Sequence, residues 1–116
     1  MSNSREHVPP QILAQLANLK LYTVVLLYKG ENYQSAPTQQ IIQGEHLPYL
    51  FSLREQGIVL LSIPIMDNSQ VAAVAVYNTP DKEVVRAHVE NDPALIKNIF
   101  TYELLSGMGM KGDTLL

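Results

Sequence analysis

Hydrophobic residues recur every three or four positions in three parts of the chain, a spacing that predicts helices. The first is "QILAQLANL", a short helix that follows Pro9-Pro10. The second spans Thr38 to Gln56 and ends at Gly57, a residue suited to the position after a helix. The third is "PDKEVVRAHVEN", which begins at Pro80 or Asp81. Each of these segments therefore has one apolar face to bury.

The second helix contains two residues that disturb it, Gly44 and Pro48. Because Pro48 has no N–H to donate to the carbonyl of Gly44, the helix is expected to kink or restart near residues 45–47. His46 lies at that break and on the apolar stripe. A histidine in this place is the first candidate for chemistry.

Four other segments carry the β-branched and aromatic residues typical of strands. They are "KLYTVVLLYKG", "GIVLLSIPI", "QVAAVAVYN" and "IFTYELL", and "DNS" (residues 67–69) predicts a turn between the second and the third. One more helical turn, "PALIKN", follows the third helix. We predict an N-terminal extension with its short helix at residues 1–19, one domain at 20–106, and a flexible glycine-rich C-terminal tail at 107–116.

Without the N-terminal helix, the order of elements is strand, helix, strand, strand, helix, strand. This order predicts an α+β fold of the ferredoxin-like βαββαβ type, with a four-stranded antiparallel sheet. Two helices cover only one face of such a sheet, yet the first strand is apolar on both sides. We therefore expect a homodimer in which two copies pack through their sheet faces.

The amino-acid composition excludes several classes of function. Eight basic residues scattered among 11 acidic ones give a net charge of -3, which speaks against a nucleic-acid partner. No apolar run approaches the roughly 20 residues of a membrane helix, so we expect no membrane partner and a cytoplasmic location. The absence of cysteine excludes disulfides, thiolate metal sites and cysteine nucleophiles.

His46 has two interpretations at this stage. It is either a general base or a core histidine whose ring nitrogens find ordinary partners. Asp92 is likewise open, because Asp followed by Pro is the expected start of a short helix, and a capping aspartate can still orient an imidazole. His88 and Asp92 stand four residues apart, but no third ligand is evident, so we predict neither a metal nor another cofactor.

Three features in this order resemble the YCII-related (YciI-like) family over about residues 20 to 105. They are "EHLPYLFSLREQGIVLLSIPI", then a hairpin, then "VENDPALIKNIFTYELL". The resemblance implies a ferredoxin-like fold, dimers of the α/β-barrel type, and an active-site pair that falls here on His46 and Asp92. Where the family often has Gly-Pro after the second strand, this chain has Ile63-Pro64, which is expected to narrow a pocket there.

The resemblance and the residues together suggest an acid–base enzyme of the isomerase or lyase (dehydrohalogenase) type. A histidine oriented by a carboxylate can move a proton on a small cyclic or aromatic compound. We expect Tyr49, Ser62, Pro64 and His88 to contact that compound. The alternatives are a non-catalytic dimer that binds a small ligand or a partner protein, and a structural pair that only satisfies its own hydrogen bonds.

Overall fold

The computed structural model describes residues 8–115. The first seven residues of the predicted extension and the last residue of the predicted tail lie outside that range. The helices are α1 (Pro10–Leu16), α2 (Thr38–Ile41), α3 (Leu47–Glu55), α4 (Lys82–Glu90) and α5 (Pro93–Ile96). Between α2 and α3 lies one π-helical turn, Ile42–His46, called the π turn below. The strands are β1 (Leu19–Lys29), β2 (Val59–Pro64), β3 (Val71–Tyr77) and β4 (Phe100–Met110).

The four strands form one antiparallel sheet in the order β2-β3-β1-β4. This arrangement of strands and helices confirms the predicted ferredoxin-like α+β fold. The longest ladder joins β1 to β4, from Leu19 opposite Met110 to Lys29 opposite Phe100. The sheet therefore has β3 and β1 at its centre, with the short β2 at one edge and the long β4 at the other.

The helices α2 to α5, with the π turn, cover one face of the sheet, called the covered face below. Alternate residues of β1 point into this layer, and Val25 is only 1% exposed. The core that forms there contains Val25, Leu27, Ile41, Leu53, Val59, Ala75, Tyr77, Val85, Val89, Ala94, Ile99 and Phe100. Burial of these apolar side chains is the main stabilising contribution of the fold.

The other face of the sheet, called the open face below, is apolar and has no helix over it. From the ladder register it carries Val24, Leu26, Leu61, Ile63, Val74, Val76 and Leu105. Ile63 and Leu105 remain 44% and 40% exposed. A contiguous apolar surface of this kind is typical of a face that meets another protein surface.

The last strand extends beyond its predicted end at Leu105. Residues 107–110, which we assigned to a flexible tail, pair with the start of β1. The two glycines of this stretch allow that pairing, because a Cβ at Gly107 would lie 3.0 Å from Val24 Cγ2 and one at Gly109 would lie 3.1 Å from the ring of Tyr22. The glycines that suggested a loop are therefore positions at which side chains of β1 lie over the backbone of β4.

The predicted N-terminal helix is present as α1, with a proline in its first turn and no buried residue. Within residues 8–115, no helix combines the length and the apolar content that crossing a bilayer requires. A cytoplasmic location stays a prediction.

Candidate functional site

The π turn replaces the predicted kink and places His46 on the covered face. The chain keeps helical dihedral angles through His46 (φ -67°, ψ -51°), and the N–H of Leu47 donates to the carbonyl of Ile42, five residues earlier. Pro48 then stands in the first turn of α3, where its missing N–H costs little. One extra residue in the turn absorbs the proline without ending the helix, and such single π turns are frequent at functional sites.

His46 and Asp92 form a buried pair. The His46 Nδ1 atom lies 2.6 Å from Asp92 Oδ2, and the two side chains are only 7% and 8% exposed. The other carboxylate oxygen, Oδ1, accepts a hydrogen bond of 2.9 Å from the N–H of Ala94 and so caps α5. The aspartate therefore performs both functions that its sequence context suggested.

The geometry of the pair leaves one ring nitrogen available. A carboxylate only accepts hydrogen bonds, so Nδ1 donates, and Nε2 of the neutral ring carries the lone pair. The edge of the imidazole packs against Phe100, with ring centroids 5.2 Å apart and an interplanar angle of 70°. Among residues 8–115 no hydrogen-bond partner of Nε2 is present, and no side-chain nitrogen or oxygen is both sealed and unpartnered. Nε2 therefore faces accessible space.

A void of about 20 Å³ borders His46. Its walls are Val25, Leu27, His46, Leu50, Ser62, Ala73, Ala75, Tyr77, Val89 and Asp92. Three small side chains on β2 and β3, Ser62, Ala73 and Ala75, leave the room. A void of this size accommodates about one water molecule.

Only one of the four residues predicted to contact the substrate lines the void. Ser62 lines the void, whereas Pro64 is exposed at the end of β2 and does not. The hydroxyl of Tyr49 donates to the backbone carbonyl of His88, 2.5 Å away, and neither residue lines the void. Burial, and then the nearby Asp92, raises the pKa of the half-buried Tyr49. The predicted roles of these four residues in substrate binding stay predictions.

Sequence reasoning missed several walls of the void, above all Leu50, Ala73, Ala75 and Tyr77. Strand alternation was the available signal, since residues 73, 75 and 77 share the face of β3 that points toward the helices. Burial strongly raises the pKa of the Tyr77 phenol, and Tyr49 and Asp92 add to the effect. These residues look like ordinary core residues in a single sequence.

A larger hollow, of about 520 Å³, lies elsewhere, against the open face. Its walls include Tyr22, Val24, Arg54, Leu61, Met108 and Leu115, and neither His46 nor Asp92 borders it. The larger hollow therefore does not serve the buried pair. Within the described part of the chain, no group of three or more His, Asp or Glu side chains is placed to hold a metal ion.

Fold and site together define a ferredoxin-like α+β domain with a buried histidine–aspartate pair under its helices. No family model matches the chain, and no curated protein matches it. Among solved structures, it is similar to the 5-chloro-2-hydroxyhydroquinone dehydrochlorinase TftG from Burkholderia phenoliruptrix AC1100, in complex with 2,5-dihydroxybenzoquinone. The TM-score is 0.52 at 16% identity, over 76% of this chain and 91% of that one. At this identity the likeness concerns the fold, which in that neighbour is of the dimeric α/β-barrel type.

Proposed function

We propose that this chain is a YCII-related acid–base enzyme, an isomerase or a lyase of the dehydrohalogenase type, that acts on a small cyclic or aromatic compound. The observation that carries the proposal is the buried pair, in which Asp92 holds one nitrogen of His46, the other nitrogen has no partner among residues 8–115, and the residue borders a void. The fold it shares with a dehydrochlorinase supports the choice of reaction.

The pair can move a proton in a defined direction. His46 Nε2 takes a proton from a carbon or an oxygen of the substrate, and the Asp92 carboxylate stabilises the imidazolium that forms. The electron pair left on the substrate then either moves to accept a proton at another atom, which is isomerisation, or expels a halide, which is elimination. In the second case the proton on Nε2 passes to water, so that hydrogen halide is lost overall.

Substrate binding requires the void to widen. Its volume of about 20 Å³ lies far below the roughly 300 Å³ at the lower end of ordinary ligand pockets. Leu50 is the wall best placed to move, because it is only half-buried and belongs to α3. A shift of this side chain toward solvent would join the void to the surface.

The test is turnover by the full chain and three variants. We expect chloride release from 5-chloro-2-hydroxyhydroquinone, or proton exchange with solvent on a panel of lactones and halophenols. His46→Gln and Asp92→Asn should lower the rate about a hundred- to ten-thousand-fold, the usual contribution of general acid–base catalysis. Asp81→Asn, which alters the exposed cap of α4, is the matched control and should keep the wild-type rate. Equal rates for all four proteins would refute the proposal.

A second candidate function is a non-catalytic domain that binds a small ligand. The observation in its favour is the same small void, which fits one water molecule better than a ring. This candidate predicts saturable ligand binding without turnover on the whole panel, and binding that His46→Gln weakens while the protein stays folded.

We also propose that two copies pack through their open faces. The open face is apolar and uncovered by any element among residues 8–115, as the shared surface of a symmetric dimer is expected to be. Val74→Lys places a charge on this face and should convert a dimer of twice 12.9 kDa into a monomer on size-exclusion chromatography with light scattering. Ile96→Lys changes an exposed apolar residue on the helical side and should leave the dimer intact. A wild-type chain that elutes as a monomer would contradict the assembly.

A further inference from the structure

We propose that Tyr77 is the hydrogen-bond donor of this site, and that its phenol holds the substrate oxygen that becomes negative when His46 removes a proton. The inference rests on the proposed function and deepens it. It also specifies the substrate class, which is a compound with a carbonyl oxygen next to the carbon that loses the proton.

The position of Tyr77 supports this role. Tyr77 is the last residue of β3 and lies on the covered face, opposite Val59 on β2 and Thr23 on β1. Tyr77 is only 5% exposed, and it lines the same void as His46. A group bound in the void would therefore contact both residues.

The Tyr77 hydroxyl also has no partner. Two other tyrosine hydroxyls near the helices are engaged, since Tyr49 donates to the carbonyl of His88 and Tyr102 donates to Glu90 while accepting from Arg86. The Tyr77 hydroxyl has no hydrogen-bond partner among residues 8–115, yet it is not sealed from accessible space. A buried donor left open in this way is rare, and it invites a bound oxygen.

The phenol is also in the charge state that this role requires. Burial, with Tyr49 and Asp92 nearby, raises its pKa, so the hydroxyl keeps its proton across the working pH range of proteins. A donor to a developing oxyanion must be protonated, and a group already in place loses no energy in reorienting. The phenol therefore donates a hydrogen bond to the substrate and does not give up its proton.

The electrons of the step balance without another reactant. The proton moves from carbon to His46 Nε2, its bonding pair forms a C=C bond, and the carbonyl π pair moves onto the oxygen. The Tyr77 hydroxyl donates to this oxygen. When the oxygen re-forms its double bond, the C=C pair can form a new C=C bond to the neighbouring carbon and expel a halide from it. In a substrate with a further conjugated C=C bond, the electrons instead pass along that bond, and its far carbon takes the proton back from Nε2. In the unliganded protein, the void of about 20 Å³ offers one water the same position, between His46, Ser62 and Tyr77.

The test is binding of 2,5-dihydroxybenzoquinone to the full chain, followed by the visible absorption of the quinone. Tyr77→Phe keeps the ring and removes only the hydroxyl, and we expect the Kd to rise about ten- to a hundredfold, as for loss of a hydrogen bond to a charged acceptor. Tyr33→Phe is the matched control, because Tyr33 is a half-buried tyrosine packed on the same core outside the void. Its Kd should equal that of the wild type.

The outcomes separate this inference from the proposed function. If the wild type binds the quinone and His46→Gln weakens binding, but Tyr77→Phe does not, then only the role of Tyr77 is refuted. If the wild-type chain shows no saturable binding, the role of Tyr77 is refuted, and the turnover panel alone decides the proposed function. A second measurement covers the case in which Tyr77→Phe does not fold. In wild-type protein isotope-labelled at tyrosine Cζ, the quinone should shift the Tyr77 signal and leave the Tyr33 signal unchanged, and an unmoved Tyr77 signal overturns the inference.

Discussion

Two side-chain pairs join the π turn to the region of α5, and they differ in exposure far more than in length. His46 and Asp92 meet at 2.6 Å with side chains that are 7% and 8% exposed. Glu45 and Lys97 meet at 2.8 Å with side chains that are 42% and 46% exposed. Two consecutive residues of the π turn therefore bind the region of α5. His46 does so under the helices, and Glu45 does so in contact with solvent.

The comparison shows that the length of a contact does not determine its contribution to stability. In water, the attraction of an ion pair is weak and holding two long side chains has an entropic cost, so exposed pairs contribute about 0–1 kcal/mol. Under the helices, each partner of the buried pair has lost its water, and removing one leaves the other unsatisfied. We therefore expect disruption of the buried pair to lower the free energy of unfolding more than disruption of the exposed pair.

The largest expected effect is that of Asp92→Ala. The substitution leaves the His46 ring without its partner and removes the cap of α5, and we expect the free energy of unfolding to fall by about 3 kcal/mol or more. Asp81→Ala is the matched control, since Asp81 caps α4 through the N–H groups of Glu83 and Val84 but is exposed. Its loss should be about 1 kcal/mol in urea unfolding. Equal losses would mean that Asp92 acts as a cap alone.

The next largest effect is expected in a double-mutant cycle that measures the coupling between His46 and Asp92. His46→Leu and Asp92→Asn each leave a buried polar group poorly matched, while the double variant removes the mismatch in part. We expect the double variant to lose less in urea unfolding than the sum of the two single variants, with a coupling energy of about 1–3 kcal/mol. A coupling near zero would show that the two side chains are neighbours without a stabilising interaction.

Most of the fold could be predicted from the sequence, because the order of strands and helices follows from the spacing of the apolar residues. Strand and helix spacing predicted the order of the elements, and the glycine and proline positions marked most of their ends. The end of β4 was missed for a physical reason, since Gly107 and Gly109 make room for Val24 and Tyr22 of another strand. Local composition contains no information about such an overhang.

The candidate site was predictable where it depends on single residues and not where it depends on packing. A histidine at a helix break and an aspartate before proline were visible, and the structure brings these two together. The π turn, the engaged hydroxyl of Tyr49 and the open hydroxyl of Tyr77 were not visible, because each depends on which side chain the fold places opposite. Tyr49 and Tyr77 thus differ in the partners that their hydroxyls find.

The next largest effect is expected from a substitution in the π turn that alters neither pair of side chains. Gly44 lies in the π turn, and a Cβ built there meets no atom within 4 Å. Gly44→Ala removes backbone freedom from the unfolded chain, so we expect a gain of about 0.5–1 kcal/mol in the free energy of unfolding. A loss in urea unfolding would show that the turn needs the freedom of glycine, and it should then appear together with weaker quinone binding.

The smallest expected effect is that of Lys97→Gln, and its dependence on salt is the sharpest contrast between the two pairs. Lys97 Nζ donates to both oxygens of Glu45, at 2.8 and 2.9 Å, in a position open to solvent. The variant should lose about 0.5 kcal/mol or less at low salt and nothing measurable at about 1 M salt, where the screening length falls to about 3 Å. Glu45→Gln removes the same attraction from the other side and should behave alike. The loss caused by Asp92→Ala should persist at high salt, because ions do not reach a pair under the helices. If salt removed both losses, the environments of the two pairs would be alike, and the buried site would have to be accessible to solvent in the folded protein.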